Sequence, residues 1–600
     1  MMNDDLLEYF NRELNYLRRR RQEFSEGHRE IAERLKLTGD TIDDPHVARL
    51  IDAVAYLTAR IQRKLDDDFP ELTEALLTVL YPHYLTPLPS MGIVQFQSRA
   101  DLTTMITAPA GLELHATTVA GDLCRFRTAY PVALWPIRIE RAILASRPSP
   151  APENRYASGA SATLRLVVAT MKNQAFDELQ PDRLCFYLRG EAGAALPLYQ
   201  LIMAGTISIA IADHPHDSAP IILGRDYLHA IGFDRDHGML PFGAGSSHGY
   251  QLLSEYFAFP EKFLFFEISG LGAKTLQQAG SRLEIFFYLD RTDPALEQTV
   301  SADSFALGCT PIINLFPQRA EPIRLTQNIY EYRVVGDARR QTTTEVYAIE
   351  RVTGSATAGR TAAYAPFFRP NHDSSQGDRR YWHAVRRQPT EDPRTETYLS
   401  LVDLEMRPAI EQNWTLSVDT LCFNADLPQQ LPVDGAHVKL RLVDGGNGVA
   451  STTVIRRPTP TIRPPLGRQT RWRLISHLSL NHLSLTGGTG PLREILQLYD
   501  YRNSVAGRAA IDSIMNVSAE TGTARTMGSP SGICRGLDIA IELADALAPT
   551  GEGYLLACVL DRFFGAYVTI NSFSRLTLKF HAGAQRPLIW PARAGDRLLL

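Results

Sequence analysis

Up to about residue 89 the apolar positions repeat at helical spacing, and beyond it they mostly alternate. Leu7, Phe10, Leu14, Leu17 and Phe24 fall at steps of three, four, three and seven, a heptad seam that predicts a helix from about Asp4 to Phe24. A shorter helix is expected through Ile31, Ala32 and Leu35, stopped by Thr38-Gly39. The third helix has the clearest signals. Asp43 or Asp44 suits its cap and Pro45 its first turn, while Val47, Leu50, Ile51, Val54, Leu57, Ile61 and Leu65 form one stripe. A fourth helix is expected from Asp68-Phe69-Pro70 through Leu72, Leu76, Leu77 and Leu80, ended by the prolines of Tyr81 to Pro89. Two readings of these stripes stay open: the helices pack on one another, or the seam docks onto a partner. Helix length, caps and periodicity do not separate them.

From Ser90 the period becomes two. Strands are expected at Ile93–Phe96, Cys124–Thr128, Val132–Ile139, Leu164–Val168, Leu184–Leu188, Ile207–Ile211 and Ile221–Leu223, with a helix at Leu196–Ile202 among them. Arg147 to Ser158 reads as a loop, and Gly232 to Gly249 as an irregular glycine-rich segment before a helix, Tyr250–Ala258. The apolar runs Phe263–Ile268 and Leu283–Leu289 suit strands covered on both faces. Thr310 to Pro366 is strand-like, Arg369 to Arg394 reads as a long exposed loop, and strands return at Tyr398–Val402 and Thr415–Val418. Arg456 to Arg468 holds four prolines and is the best linker candidate. Beyond it come an expected helix at Pro491–Tyr501 and a strand at Gly536–Leu543. The helix Tyr554–Val568 carries Leu555, Leu556, Val559, Leu560, Phe563, Phe564 and Tyr567 on one face, with Asp561 and Arg562 off it, and a strand follows at Leu576–Phe580. This makes a multidomain α+β chain: a helical bundle domain (1–89), a β-rich domain (90–309), a β-rich middle domain with a long loop and Pro-rich linker (310–468) and a mixed α/β domain (469–600).

Composition narrows the function. A net charge of −4 draws the chain to neither nucleic acid nor anionic lipid. The run Arg18–Arg21 points in several directions on a helix beside Glu13, Glu23 and Glu26, as a solvated face does. Six single cysteines, with no CxxC pair, suit reduced thiols in the cytoplasm, and neither a signal peptide nor an eighteen-residue apolar span is visible.

Candidate chemistry is thin. Gly245-Ser246-Ser247-His248-Gly249 fits the nucleophile-elbow pattern, which makes a hydrolase centred on Ser247 the enzyme alternative. The preceding Leu240-Pro241-Phe242-Gly243 is a poor central strand, however. Gly487-Gly488-Thr489-Gly490 lacks the Lys-Ser/Thr ending of a phosphate loop. Asp234-Arg235-Asp236-His237-Gly238 begins like a calcium loop, but Gly245 stands where its bidentate acid belongs. The histidines share no ligand spacing with cysteines or acids. Neither a cofactor, a metal nor a catalytic residue is expected.

Several stretches resemble the TssF family (also called VasA or ImpG), baseplate subunits of the bacterial type VI secretion system. They are Tyr9-Phe10-Asn11-Arg12-Glu13-Leu14-Asn15-Tyr16-Leu17, Asp44–Leu50, Ala59–Asp66 and Leu80–Pro87, then Gly249–Phe263, Leu307–Phe316 with Ala320–Ile323, Trp472–Leu485, Val559–Phe564, Asn571–Phe573 and Trp590-Pro591. The blocks keep family order along the whole chain. One departure is Ala425 in Phe423–Pro428, where the family usually has arginine, so a partner contact made by that arginine is in doubt.

The resemblance implies a structural scaffold, not an enzyme, similar to the wedge proteins of contractile phage tail baseplates. Two TssF copies would join one TssG, with TssK and TssE completing a wedge. Six wedges would surround the hub and spike (VgrG), and the sheath would be built on this platform at the cytoplasmic side of the inner membrane. The N-terminal helices would form a bundle with TssG and the second copy, which makes Leu7, Phe10, Leu14, Leu17, Leu50, Val54, Leu57 and Ile61 the expected partner interface. The C-terminal region would contribute contacts within and between wedges. Neither nucleic-acid binding nor membrane insertion is implied. A soluble adaptor that folds alone and binds transiently is the other alternative.

Overall fold

The computed structural model divides into two units, residues 1–76 and 77–600. In the first it describes residues 9–11, 13–14, 16–17, 27 and 45–66, with side chains in the last stretch only at 46 and 49–61. In the second it describes 77 and 82–598 apart from 173, 242–247, 273–274, 277–278, 327–328, 357–359, 368–379, 390–393, 404–413, 433–438, 444–447, 464–487, 526–531, 569–571, 582–585 and 595–596.

The first unit is helical wherever it is described. Pro45–Asp66 is one continuous helix of 22 residues, starting on the expected proline. Tyr9, Phe10, Leu14 and Leu17 lie in helical backbone as the heptad seam requires. The expected second helix and almost all of the fourth lie outside the described residues.

The second unit is strand-rich. Met91–Ser98, Cys309–Ile313, Leu123–Thr128, Glu113–Thr117, Lys439–Leu442 and Val449–Arg456 close into a barrel. Val94, Phe96, Leu114, Phe126, Ile312, Leu440 and Val454 fill it, so it is a packed core and not a pore. The barrel joins strands from both sides of position 309, and the segment between its fourth and fifth strands in sequence, residues 316–423, makes a structure of its own. There Phe316–Arg319, Trp414–Phe423, Glu345–Ala356, Thr361–Pro366, Arg380–Arg387, Glu396–Asp403 and Glu331–Val334 line up in that order, around a separate core that includes Val352, Trp414, Leu416 and Val418.

The largest core belongs to two antiparallel sheets and the C-terminal elements. Arg282–Leu289 is central in a five-stranded sheet between Thr206–Ala212 and Ala162–Thr170. Leu283, Ile285 and Phe287 face the main core and Phe286 and Tyr288 a second cluster, so this strand is covered on both faces as its apolar run predicts. Ile533–Leu543 and Ser574–Phe580 pair in parallel, joined through the helix Glu552–Gly565 as a crossover connection. That helix is buried on every side except at Glu552 and Arg562. Asp561, expected off the apolar face, is buried because Nε of Arg593 donates to it at 3.0 Å.

Two expectations need correction. Arg380–Arg387, placed in the long exposed loop, is a strand with an eight-residue register against Glu396–Asp403. Its pattern, Arg-Tyr-Trp-His-Ala-Val-Arg-Arg, is too polar to announce a strand, and the neighbouring strand supplies the pairing. The Pro-rich stretch is no free linker over 457–463. Leu88 and Ile462 exchange both backbone hydrogen bonds, at 2.7 and 3.0 Å, and the Thr459 N–H donates to the Met91 carbonyl at 2.8 Å. Pro458 and Pro460 leave the Thr459 N–H and the Ile462 N–H free to make these bonds.

Candidate partner interface

A helix that packs on its own chain should bury its large apolar residues. Pro45–Asp66 does the reverse. Leu50, Val54, Leu57 and Ile61 are 65%, 44%, 55% and 61% exposed, while Ala55 and Ala59 are fully buried. At about 100° per residue the four exposed side chains fall within an arc of about 60°, and the two alanines lie on the other side of the helix. The small residues suit close packing and leave the leucine stripe in solvent. Tyr56, 45% exposed, lies off the stripe, about 100° round the helix from Leu57, with the Arg60 guanidinium 6.0 Å from its ring centre.

Of the other expected interface residues, Phe10, Leu14 and Leu17 are half-buried in helical backbone, and Leu7 lies outside the described residues. Covering the exposed parts of Leu50, Val54, Leu57 and Ile61 would contribute on the order of 1–2 kcal/mol per side chain. That is the magnitude expected of interface anchors and a strong reason for the stripe not to remain in water.

The second unit holds the polar arrangements that resemble chemistry. A cavity of about 1630 Å³ is lined by Cys185, His229, Asp234, Asp236, His237 and Glu267, among others. Cys185, Glu267 and His229 stand in one row across three strands. Asp234, Asp236 and His237 bring ligand atoms within 4.8 Å of one another. Asp236 and His237 sit on the three-residue 3-10 turn Arg235–His237 and Asp234 directly precedes it; burial pushes the His237 pKa down while Asp236 and Asp234 pull it up. Ser247 lies outside the described residues. The following His248 is buried, bonded to the Phe233 carbonyl at 2.7 Å and within 3.3 Å of the Gln251 amide oxygen.

The segment Gly249–Phe263 instead builds a structural lock. Glu255 and Lys262 form an ion pair with no exposure at either side chain. Glu255 Oε1 also accepts from the backbone N–H groups of Met239 and Leu240 at 2.8 and 3.0 Å, and Lys262 Nζ donates to the His237 carbonyl at 3.3 Å. Glu255 Oε1 and Lys262 Nζ thereby hold residues 237–240 against the helix His248–Ala258, while Glu255 Oε2 accepts from Lys262. Burial pushes the Lys262 pKa down, and Glu255 opposes the shift.

Comparison with known proteins decides between these features. The family model described as Type VI secretion system, TssF, matches residues 2–597. This chain belongs to the TssF family. It is 35% identical to the type VI secretion system component TssF1 of Pseudomonas aeruginosa, over 99% of this chain and 100% of that protein. A chain of the type VI secretion system TssK-TssF-TssG baseplate subcomplex, solved by cryo-electron microscopy, superposes with a TM-score of 0.74 at 28% identity, covering 92% of this chain and 99% of that one. A chain of the baseplate complex from the type VI secretion system gives 0.57 at 25% identity, covering 99% and 100%. TssF is a structural baseplate component and not an enzyme. The fold is mixed α+β and strand-rich, and no helix among the described residues is long and apolar enough to cross a membrane.

Proposed function

We propose that this chain is a baseplate wedge subunit that binds a TssG-like partner and a second copy of itself through its N-terminal helices, with two copies to one partner. The observation that carries the reading is the exposed stripe Leu50, Val54, Leu57 and Ile61 on a helix whose alanine face is already covered. Phe10, Leu14 and Leu17, half-buried on their own helix, extend the candidate seam, and Leu7 continues its spacing. A bundle that buries about 1,000 Å² or more on its partners is large enough to be stable. TssK, TssE, a VgrG-type hub and neighbouring wedges complete the assembly in this reading, on the cytoplasmic side of the inner membrane, with the sheath built on it. The second unit then acts as the body that reaches neighbours, as in phage tail wedges.

The test is co-expression with a TssG-family protein, followed by size exclusion with light scattering. A species of two long chains and one partner, lost when residues 1–89 are removed, is the expected result. A well-behaved monomer that ignores the partner would favour the free-standing adaptor and sink the wedge reading.

A further inference from the structure

We propose that residues 316–423 form a movable module, held in its docked pose by an Arg463 clasp and able to turn about the paired asparagines Asn314 and Asn424. The module joins the barrel through two chain crossings only. The chain enters at Phe316 and leaves at Phe423, and these crossings lie side by side because Phe316 pairs with Cys422 across the sheet. The module's core is its own, so turning it does not require its sheet to open.

The two crossings are pinned at one point. Asn314 Nδ2 donates to Asn424 Oδ1 at 2.8 Å, and the Asn424 N–H donates to Asn314 Oδ1 at 2.6 Å. Both also bond the barrel strand at Arg125: its N–H donates to Asn424 Oδ1 at 2.9 Å, and its carbonyl accepts from Asn314 Nδ2 at 2.7 Å. These bonds all lie on the barrel side of the crossings and survive rotation of the module. The next residues, Ala425 and Asp426, belong to the same junction. Ala425 is buried at φ 44°, and its carbonyl accepts from Thr461, so a side chain at this position faces the chain's own interior.

The clasp lies beside the pivot. Arg463, on the segment after the last barrel strand, donates to Glu345 of the module and to both Asp426 oxygens at 3.1 and 3.2 Å. Glu345 is wired into the module, accepting from the Thr395 N–H at 3.0 Å, and Arg386 donates to Thr395 Oγ1 at 2.9 Å. One guanidinium thus bridges a module carboxylate to a carboxylate on the fixed side, which is what a closing contact needs. Tyr347, Leu421 and Phe423 pack with the main core beside it, and the Arg125 guanidinium donates to Gln318 at 3.1 Å and lies 4.3 Å from the Phe316 ring centre, so opening withdraws an apolar patch and re-forms the contacts of Arg125. Two poses would let identical chains meet unlike neighbours; that consequence rests on the wedge reading, whereas the clasp does not.

The experiment uses the full chain with its exposed Cys185 replaced by serine and spin labels at Val119→Cys, 83% exposed, and Arg351→Cys, whose side chain is 72% exposed. Pulsed electron resonance should give one narrow distance for the otherwise native chain. Arg463→Gln should broaden it or add a second distance, with the circular dichroism unchanged. Glu345→Gln, which keeps the size of the side chain, should do the same, and covers the case in which Arg463→Gln does not fold. One unchanged distance in every folded variant overturns the proposal. Because the measurement is made on the free chain, it is independent of whether any partner binds.

Discussion

Two helices with similar sequence patterns end in opposite environments. Pro45–Asp66 and Glu552–Gly565 both carry leucine-rich stripes; the first starts on the expected proline and the second two residues before the expected Tyr554. In the second, Leu555, Leu556, Val559, Leu560, Phe563 and Phe564 are all at or below 1% exposure, and even Asp561 is enclosed. In the first, the stripe faces solvent and two alanines face protein. Periodicity tells where a helix has an apolar face; what covers that face is decided elsewhere in the chain, or in another chain. For Glu552–Gly565 the cover is the parallel strand pair and the helix His248–Ala258, whose own residues are all buried. For the leucine stripe of Pro45–Asp66, the described residues supply no cover.

The contrast predicts a gradient of effects on the free chain. Phe563→Ala should destabilise the second unit by about 3–5 kcal/mol, read as the shift of a urea unfolding midpoint. Lys262→Met should cost about 3–5 kcal/mol by leaving Glu255 charged and unpaired in the interior, and Lys262→Met with Glu255→Leu should recover much of it. Ala59→Leu should cost about 1–3 kcal/mol, because its side of the helix has no room, and thermal melting of the helical unit would register it. Leu57→Ser should change free-chain stability by only about 0.5 kcal/mol or less, since its side chain already meets water. If Leu57→Ser cost as much as Ala59→Leu, the two faces of the helix would have been assigned the wrong way round.

The same contrast shows what was legible in the sequence. Pro45–Asp66, Ala192–Gly205, Arg282–Leu289 and Glu552–Gly565 announce themselves through caps, periodicity or unbroken apolar runs. Ile514–Arg525 does not, because its Ser, Thr, Ala and Gly residues have no strong pattern; it exists through an eleven-residue partnership with Ile533–Leu543. Barrel closure by Lys439–Leu442 and Val449–Arg456 onto strands more than three hundred residues earlier is likewise set by pairing partners and not by local propensity. The candidate interface was half legible: the stripe was visible, its exposure was not. The family-like blocks acquire physical meaning only in the fold, where Gly249–Phe263 carries the Glu255–Lys262 lock and Leu307–Phe316 carries the Asn314 pivot.

The most direct test of the central claim is a stripe variant, Leu50→Glu with Val54→Glu and Leu57→Glu, co-expressed with the TssG-like partner and weighed by light scattering after size exclusion. The account predicts that the complex is lost, while the variant alone keeps the circular dichroism and melting temperature of the native chain. A complex of unchanged mass would show that the exposed stripe is not the assembly seam.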